Sequence, residues 1–377
     1  MVILGLNCYH GDSSACLVID GKLVCAIEEE RIRRIKHWAG FPSESIKWCL
    51  SYGNIRVDRI DYIALSRNPR ARLMKKTARA IFKRKSFSFY KDRFSNYAKL
   101  GSIKEELAAI CQVEPGNIKA KVIFVDHHLA HLASSFLVSP YEQAAIISVD
   151  GFGDFLSTML AGGGGNRIKV IKTIEYPHSL GIFYSAMTQA AGFWNYGDEY
   201  KVMGLSAYGK PVYMEAMRKI VRTTKTGLFE LDTSFFNHDT EGVEMTWLGE
   251  APVVGKLFSD KLSKIVGPAR NKCEELATGD RFCDIAASTQ GRYEEVFFGL
   301  LEGLAKKVKT KTICLSGGCI QNSLANGKIY GNSPFRDIYI PPAAHFRNGF
   351  AILGPELRGY GDRRDASEER ATVSKTE

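Results

Sequence analysis

The same three-strand pattern is written twice in this chain, once at its start and once near its middle. In the first copy Val2-Ile-Leu-Gly-Leu-Asn7 reads as a strand and Tyr9-His-Gly-Asp-Ser-Ser14 as a polar turn. Ala15-Cys-Leu-Val-Ile19 reads as a second strand, Asp20-Gly-Lys22 as a tight turn with the Asp-Gly hairpin signature, and Leu23-Val-Cys-Ala-Ile27 as a third strand. In the second copy Ala144-Ala-Ile-Ile-Ser-Val149 is a strand, Asp150-Gly-Phe-Gly-Asp-Phe155 a turn and Leu156-Ser-Thr-Met-Leu160 a strand. A glycine-rich hairpin turn, Gly162-Gly-Gly-Gly-Asn166, then leads to a third strand, Ile168-Lys-Val-Ile171. Two meanders that each open on a turn of Asp, Gly and other turn-forming residues imply an internal duplication, so the two halves should fold alike.

Helices and single strands separate and follow the meanders. A helix is expected over Ser43–Tyr52 and a strand over Tyr62–Leu65 in the first half. In the second half two helices are expected, at Cys283–Gln290 and Tyr293–Val308, then a buried strand, Thr312-Ile-Cys-Leu-Ser316. Duplicated meanders with crossing helices describe the actin-like, ribonuclease-H-like ATPase architecture, an α/β fold of two lobes, each with a mixed sheet and flanking helices. In that architecture the first turn of each half holds nucleotide phosphates, which makes Gly151 and Gly153 candidate nucleotide contacts. The expected division is a first lobe over 1–140, with a basic helical insertion at about 67–104, and a second lobe over 141–355. A charged tail over 356–377, poor in apolar residues, is expected to be disordered.

A chain of 377 residues that is 45% hydrophobic can bury a large core. It has no apolar run of membrane-spanning length and no charged-then-apolar leader pattern, so a soluble, cytoplasmic protein without a membrane partner is expected. Nine cysteines without a C-x-x-C pair argue against a disulfide framework or a zinc ribbon. The net charge of +10 is localised: Arg67 to Arg93 holds eleven Lys or Arg against one acidic residue, Asp92. Such a stretch serves either as a solvated helical insertion or as a contact for nucleic acid, a phosphorylated substrate or another subunit. It lacks the interleaved aromatic platform of single-strand binders, and no nucleic-acid partner is expected.

Chemistry concentrates at Asp126-His127-His128-Leu-Ala-His131, between an expected buried strand, Lys121-Val-Ile-Phe-Val125, and an expected helix, Leu132-Ala-Ser-Ser-Phe136. A strand-to-helix junction is where α/β proteins place functional groups. His127 and His131, four apart, share a helix face and can grip one metal ion or a substrate. The alternative is a helical first turn that Asp126 caps and in which the imidazoles bond backbone or solvent. Gly317-Gly-Cys-Ile-Gln-Asn322 ends a strand and opens a helix at Ser323–Asn326, a setting that lets a ligand approach the backbone.

In their order, these segments resemble the O-carbamoyltransferase family of antibiotic and nodulation-factor biosynthesis, whose N-terminal part is a duplicated actin-like module. The matching pieces are Tyr9-His-Gly-Asp-Ser-Ser-Ala15, Glu28-Glu-Glu-Arg31 with Arg34-Ile-Lys-His37, Asp126-His-His-Leu-Ala-His131 and Asp150-Gly-Phe-Gly-Asp154. The match continues through His178-Ser-Leu-Gly-Ile-Phe-Tyr184, Glu199-Tyr-Lys-Val-Met-Gly-Leu205, Asp284-Ile-Ala-Ala-Ser-Thr-Gln290 and Leu315-Ser-Gly-Gly-Cys-Ile-Gln-Asn322. The resemblance implies conversion of carbamoyl phosphate and ATP to carbamoyl-adenylate in a YrdC-like C-terminal domain. The carbamoyl group then passes to a hydroxyl of a sugar or antibiotic in the N-terminal domain, where a divalent metal, Fe2+ by family, holds the adenylate. It implies His127, His131 and Asp150 as metal ligands, Lys36 as an adenylate contact, and Gly317, Gly318 and Asn322 as lining for the nucleotide. Asp12 and His128 become catalytic candidates, with Asp12 positioned to orient the acceptor or take its proton. Otherwise Asp12 and Asp150 cap turns and Lys36 is solvated.

The pattern departs from the family after Ile340-Pro-Pro-Ala-Ala344, where a further metal-binding Asp is expected and the chain reads His345-Phe-Arg-Asn-Gly349. His345 and Asn348 are the closest replacements, and weaker metal retention than in relatives with that Asp follows. The YrdC-like domain is not found in this sequence, so a separate adenylate-forming protein is an expected partner. A frameshift just after Ala344 would join these facts, and reading the gene in all three frames tests it. Two rival functions follow: a non-catalytic nucleotide-binding homologue, and a relative of the threonylcarbamoyl-transferring tRNA modifiers.

Overall fold

The structure is a computed structural model that describes residues 1–75, 102–242, 245–246, 250–271, 274–343 and 372–373. Most of the basic stretch, the replacements His345 and Asn348, and nearly all of the expected tail lie outside the described residues.

The first sheet contains β1 (Val2–Asn7), β2 (Ser14–Ile19), β3 (Lys22–Glu28), β4 (Tyr62–Leu65) and β5 (Lys121–Phe124), in the order β3-β2-β1-β4-β5. The first three are an antiparallel meander, and β4 and β5 continue the sheet in parallel with β1. The second sheet contains β6 (Gln143–Gly153), β7 (Leu156–Gly164), β8 (Arg167–Glu175), β9 (Thr312–Ser316) and β10 (Asp337–Tyr339). Its order is β10-β9-β6-β7-β8, with the short strand at Thr372–Val373 added beside β8. Again the meander is antiparallel and the next two strands run parallel to its first. The duplication expected from the two meanders therefore extends to five strands in each half, in the same order and the same sense. This is the two-lobed actin-like α/β fold.

Period-two alternation divides the side chains of each sheet between two faces. On β1, Leu4 and Leu6 face outward onto α2 (Ser43–Tyr52) and α3 (Ile103–Cys111) through Ile46, Leu50 and Leu107. Ile3 turns the other way, into a core shared with the second lobe. On β6, Ile147 and Val149 pack under α5 (Leu180–Ala190) and the long α7 (Arg281–Ala305), whereas Ile146 joins the shared core. At the centre of that shared core lies α4 (His127–Phe136), whose ten residues are all buried. Leu129, Leu132 and Phe136 of α4 meet Val18 and Ala64 of the first sheet and Met159 and Ala161 of the second.

Four expectations change. The segment before α4 is not a buried strand: β5 is the last strand of its sheet, and Lys121 and Phe124 are exposed. The two expected C-terminal helices are one helix, α7. The strand β6 runs on through Gly153, so Asp150-Gly-Phe-Gly153 is strand, and only Asp154 and Phe155 turn, both with positive φ. The second hairpin is likewise tighter than the glycine run suggested, with Gly162–Gly164 paired inside β7. Pairing with β7 slips between Val149 and Gly153, so the extra residues form a bulge. Asp150 opens this bulge, and its side chain faces α4 as those of Ser148 and Ile146 do, two and four residues before it.

Candidate metal centre

The helical period brings His127 and His131 to one face of α4, and the alternation of β6 brings Asp150 to meet them. His127 Nε2 lies 2.8 Å and His131 Nε2 3.0 Å from the same oxygen, Oδ2 of Asp150. The other oxygen, Oδ1, accepts the backbone N–H of Gly151 at 2.8 Å and that of Gly318 at 3.3 Å. The three ligand atoms lie within 4.8 Å of one another. Both imidazoles are buried, while about a fifth of the Asp150 side chain remains accessible. Burial alone would raise the Asp150 pKa; the hydrogen bonds and charges of His127 and His131 outweigh it and hold the carboxyl well below the usual range. A two-nitrogen, one-carboxylate set converging from a helix and a strand suits a catalytic divalent metal, because it leaves coordination positions for ligands from outside the protein.

The N-terminus of α4 is tied down by a different carboxylate from the one expected. Asp126 makes no side-chain cap, and the His127 N–H donates instead to Asp154 Oδ2 at 2.8 Å. That oxygen also accepts from the Asn68 backbone N–H at 2.9 Å, so one turn residue of the second lobe grips two segments of the first. Asp126 is occupied by Asn68 Nδ2 at 2.7 Å and by Arg72 at 3.4 Å. The start of the basic stretch therefore has a structural use, which a charge count does not reveal.

Glycines complete the centre. A Cβ on Gly153 would lie 2.0 Å from His127 Cγ, so this residue is fixed by packing against the imidazole. Gly317, at φ +99°, would place a Cβ 2.2 Å from the Val149 carbonyl oxygen. Both are consumed by close approach within the protein rather than opened to a ligand. Gly151 differs, because a Cβ there would meet nothing within 4 Å. Gly318 lends its N–H to Asp150. Asn322 is engaged internally: its Oδ1 accepts from Ala325 N–H and Gln290 Nε2, both at 3.0 Å, and its Nδ2 donates to Gln290 Oε1 at 2.8 Å.

The remaining sequence candidates separate. His128 points into the shared core, where its Nδ1 bonds Ser148 Oγ at 2.8 Å. Burial drives its pKa down to about 3, against a partial opposing pull from Asp150, so its ring is neutral and part of the packing. Lys36 is exposed and sits over the Tyr200 ring at 4.9 Å, near the start of α6 (Glu199–Leu205). Asp12 lies in the β1–β2 turn at φ +61° and bonds His37 Nδ1 at 2.8 Å. Its turn reaches the candidate metal centre through His10, whose ring centroid is 6.2 Å from that of His127. His10, His37 and Asp154 were not singled out from sequence. Each stands only inside a matched motif, His10 in Tyr9–Ala15, His37 at the end of Arg34–His37 and Asp154 at the end of Asp150–Asp154, with no helical or strand spacing to mark it.

The family described as Carbamoyltransferase N-terminus matches residues 2–352. The Synechocystis protein sll1178 is 36% identical over 350 residues, covering 91% of this chain and 54% of that protein. The nodulation protein NolNO of Sinorhizobium fredii is 31% identical over 342 residues, covering 90% of this chain and 45% of that protein. The chain thus spans about half the length of these curated relatives. Among solved structures, the activator of a Clostridium difficile 2-hydroxyisocaproyl-CoA dehydratase with bound ADPNP aligns over 93% of each chain, at 12% identity and a TM-score of 0.44.

Proposed function

This chain belongs to the carbamoyltransferase N-terminal family, and we propose from that premise that it carries the transfer site of an O-carbamoyltransferase. The site would hold carbamoyl-adenylate, made elsewhere from carbamoyl phosphate and ATP, and pass its carbamoyl group to a hydroxyl of a sugar or secondary metabolite. The observation that supports this most is the convergence of two imidazole Nε2 atoms on one Asp150 oxygen, beside the open face of Gly151.

His127, His131 and Asp150 are the residues that would hold the divalent ion. The set fits one, since both Nε2 atoms converge on one oxygen of a carboxylate held in its charged form, and the three ligand atoms lie within 4.8 Å of one another. A bound ion, Fe2+ by family resemblance, would supply charge against the adenylate phosphate and ease departure of AMP. The other roles belong to the chain's own groups. The space that a Gly151 Cβ would fill is open and would admit a phosphate, and the exposed Lys36 ammonium over Tyr200 would supply positive charge to it. Asp12 accepts the proton of the acceptor hydroxyl as its oxygen bonds to the carbamoyl carbon and the carbon–oxygen bond to phosphate breaks. A helix long and apolar enough to cross a membrane is not found among the described residues.

The test supplies purified protein with Fe2+, synthetic carbamoyl-adenylate and a panel of sugars, and reads carbamoylated sugar by mass spectrometry. Product is expected from the wild type and not from His131→Ala. Nucleotide and metal binding with no product from any sugar would favour a non-catalytic homologue.

A further inference from the structure

We infer that His37 is a positioning residue that orients the Asp12 carboxylate through a fixed Nδ1–H donor, and that the second lobe holds His37 in place. This rests on the reading of Asp12 as the proton acceptor.

Three contacts determine where the His37 ring stands. Its backbone, at φ +57°, follows α1 (Glu29–Arg33), and its N–H donates to Glu30 Oε2 at 2.7 Å. Its Nδ1 lies 2.8 Å from Asp12 Oδ1. Its ring stands edge-on to Tyr196, with centroids 5.2 Å apart and planes at 77°. The next residue, Gly197, sits at φ +83°, and a Cβ there would lie 2.1 Å from His37 Nε2. Gly11, next to Asp12, would likewise place a Cβ 2.8 Å from the Tyr196 hydroxyl oxygen. The Asp12 turn, His37 and Tyr196-Gly197 therefore interlock across the two lobes, and two glycines permit the approach.

The ring's surroundings also assign its proton. His37 Nε2 is buried and has no hydrogen-bond partner. A buried N–H without an acceptor costs more than a buried lone pair, so of the two single-proton tautomers the ring's contacts favour the one with its proton on Nδ1, donated to Asp12. The Asp12, Glu30 and His37 ligand atoms lie within 4.8 Å of one another, as a metal site would require. An ion is not needed to explain them. Nδ1 faces Asp12 at hydrogen-bond distance, and Glu30 is engaged by the His37 N–H and, at 3.5 Å, by Arg31. The Asp12 main chain is fixed as well, because its carbonyl oxygen accepts from Asn7 Nδ2 at 2.8 Å. A proton acceptor held at both backbone and side chain keeps one direction toward the acceptor hydroxyl, which is where positioning contributes to rate.

Two measurements test this. In kinetics with carbamoyl-adenylate and glucose, and with water alone as acceptor, His37→Phe should lower kcat by about ten- to a hundredfold with little change in the KM for the adenylate. His37→Asn, whose amide N–H can replace the Nδ1 donor, should recover most of that loss; equal loss in both variants would overturn the inference. Histidine-selective 15N NMR should find the His37 proton on Nδ1, with a resonance that shifts in Asp12→Asn. A proton on Nε2, or a resonance indifferent to Asp12, would overturn it too. A wild type inactive with both acceptors would count against the proposed function alone, and the NMR result would then decide the His37–Asp12 pair by itself.

Discussion

At the scale of single residues, the centre depends on atoms that are absent as much as on those present. Gly153→Ala would push a methyl group into the His127 ring, 2.0 Å from Cγ. The expected cost is about 1–3 kcal/mol by urea denaturation, together with lost metal uptake; a stable variant with normal uptake would show that the ring has room to move. His128 makes a prediction of opposite character. Its folded pKa, near 3, lies below its ordinary value of 6.5, so below about pH 6.5 the unfolded chain binds a proton that the native chain refuses. Stability should therefore fall as pH drops from 6.5 toward 3, by about 1.4 kcal/mol per unit from this group alone. His128→Gln, which keeps a side chain able to bond Ser148, should flatten that part of the pH–stability curve, and an unchanged slope would contradict the assignment. The His127–His131 pair was legible in the sequence because i, i+4 spacing has a meaning on any helix. His37 and His10 were not, since a lone histidine carries no such spacing and its partners come from other elements.

At the scale of elements, one carboxylate ties a strand turn to a helix start. Asp154→Ala would remove the acceptor for both the His127 and Asn68 N–H groups. A loss of about 1–3 kcal/mol is expected, and hydrogen exchange should show the start of α4 opening before the rest of that helix. Uniform protection along α4 would argue that Asp154 is dispensable. Strand alternation and hairpin signals were read correctly at β1 to β4 and at β9, where side-chain pattern and turn chemistry agree. They failed where tertiary pairing decides. Val122 and Ile123 made β5 look interior, yet an edge strand can carry the same residues. The Asp150–Phe155 segment looked like a turn because Gly and Asp favour turns, but pairing with β7 kept most of it in the strand and left a bulge. The break expected between two C-terminal helices sat at Gly291, which α7 accommodates in mid-helix.

At the scale of the whole molecule, the two lobes are joined by a common core around α4 and by polar contacts on either side of it. The proposed metal ligands reflect that arrangement: His127 and His131 come from the helix between the sheets and Asp150 from the second sheet, while Asp12 and His10 approach from the first. The duplicated five-strand order was legible only as far as the meanders, because the parallel strands β4, β5, β9 and β10 are short and carry no periodic signature of their pairing. His127, His131 and Asp150 are proposed to form one divalent-metal site. This is tested most directly by titrating Co2+ into chelator-treated protein and reading visible absorption and ion stoichiometry, with His131→Ala and Asp150→Asn in parallel. One ion per chain is expected in the wild type, with ligand-field absorption that both variants lose. Wild type and variants that take up the ion alike, or a wild type that takes up none, would contradict it.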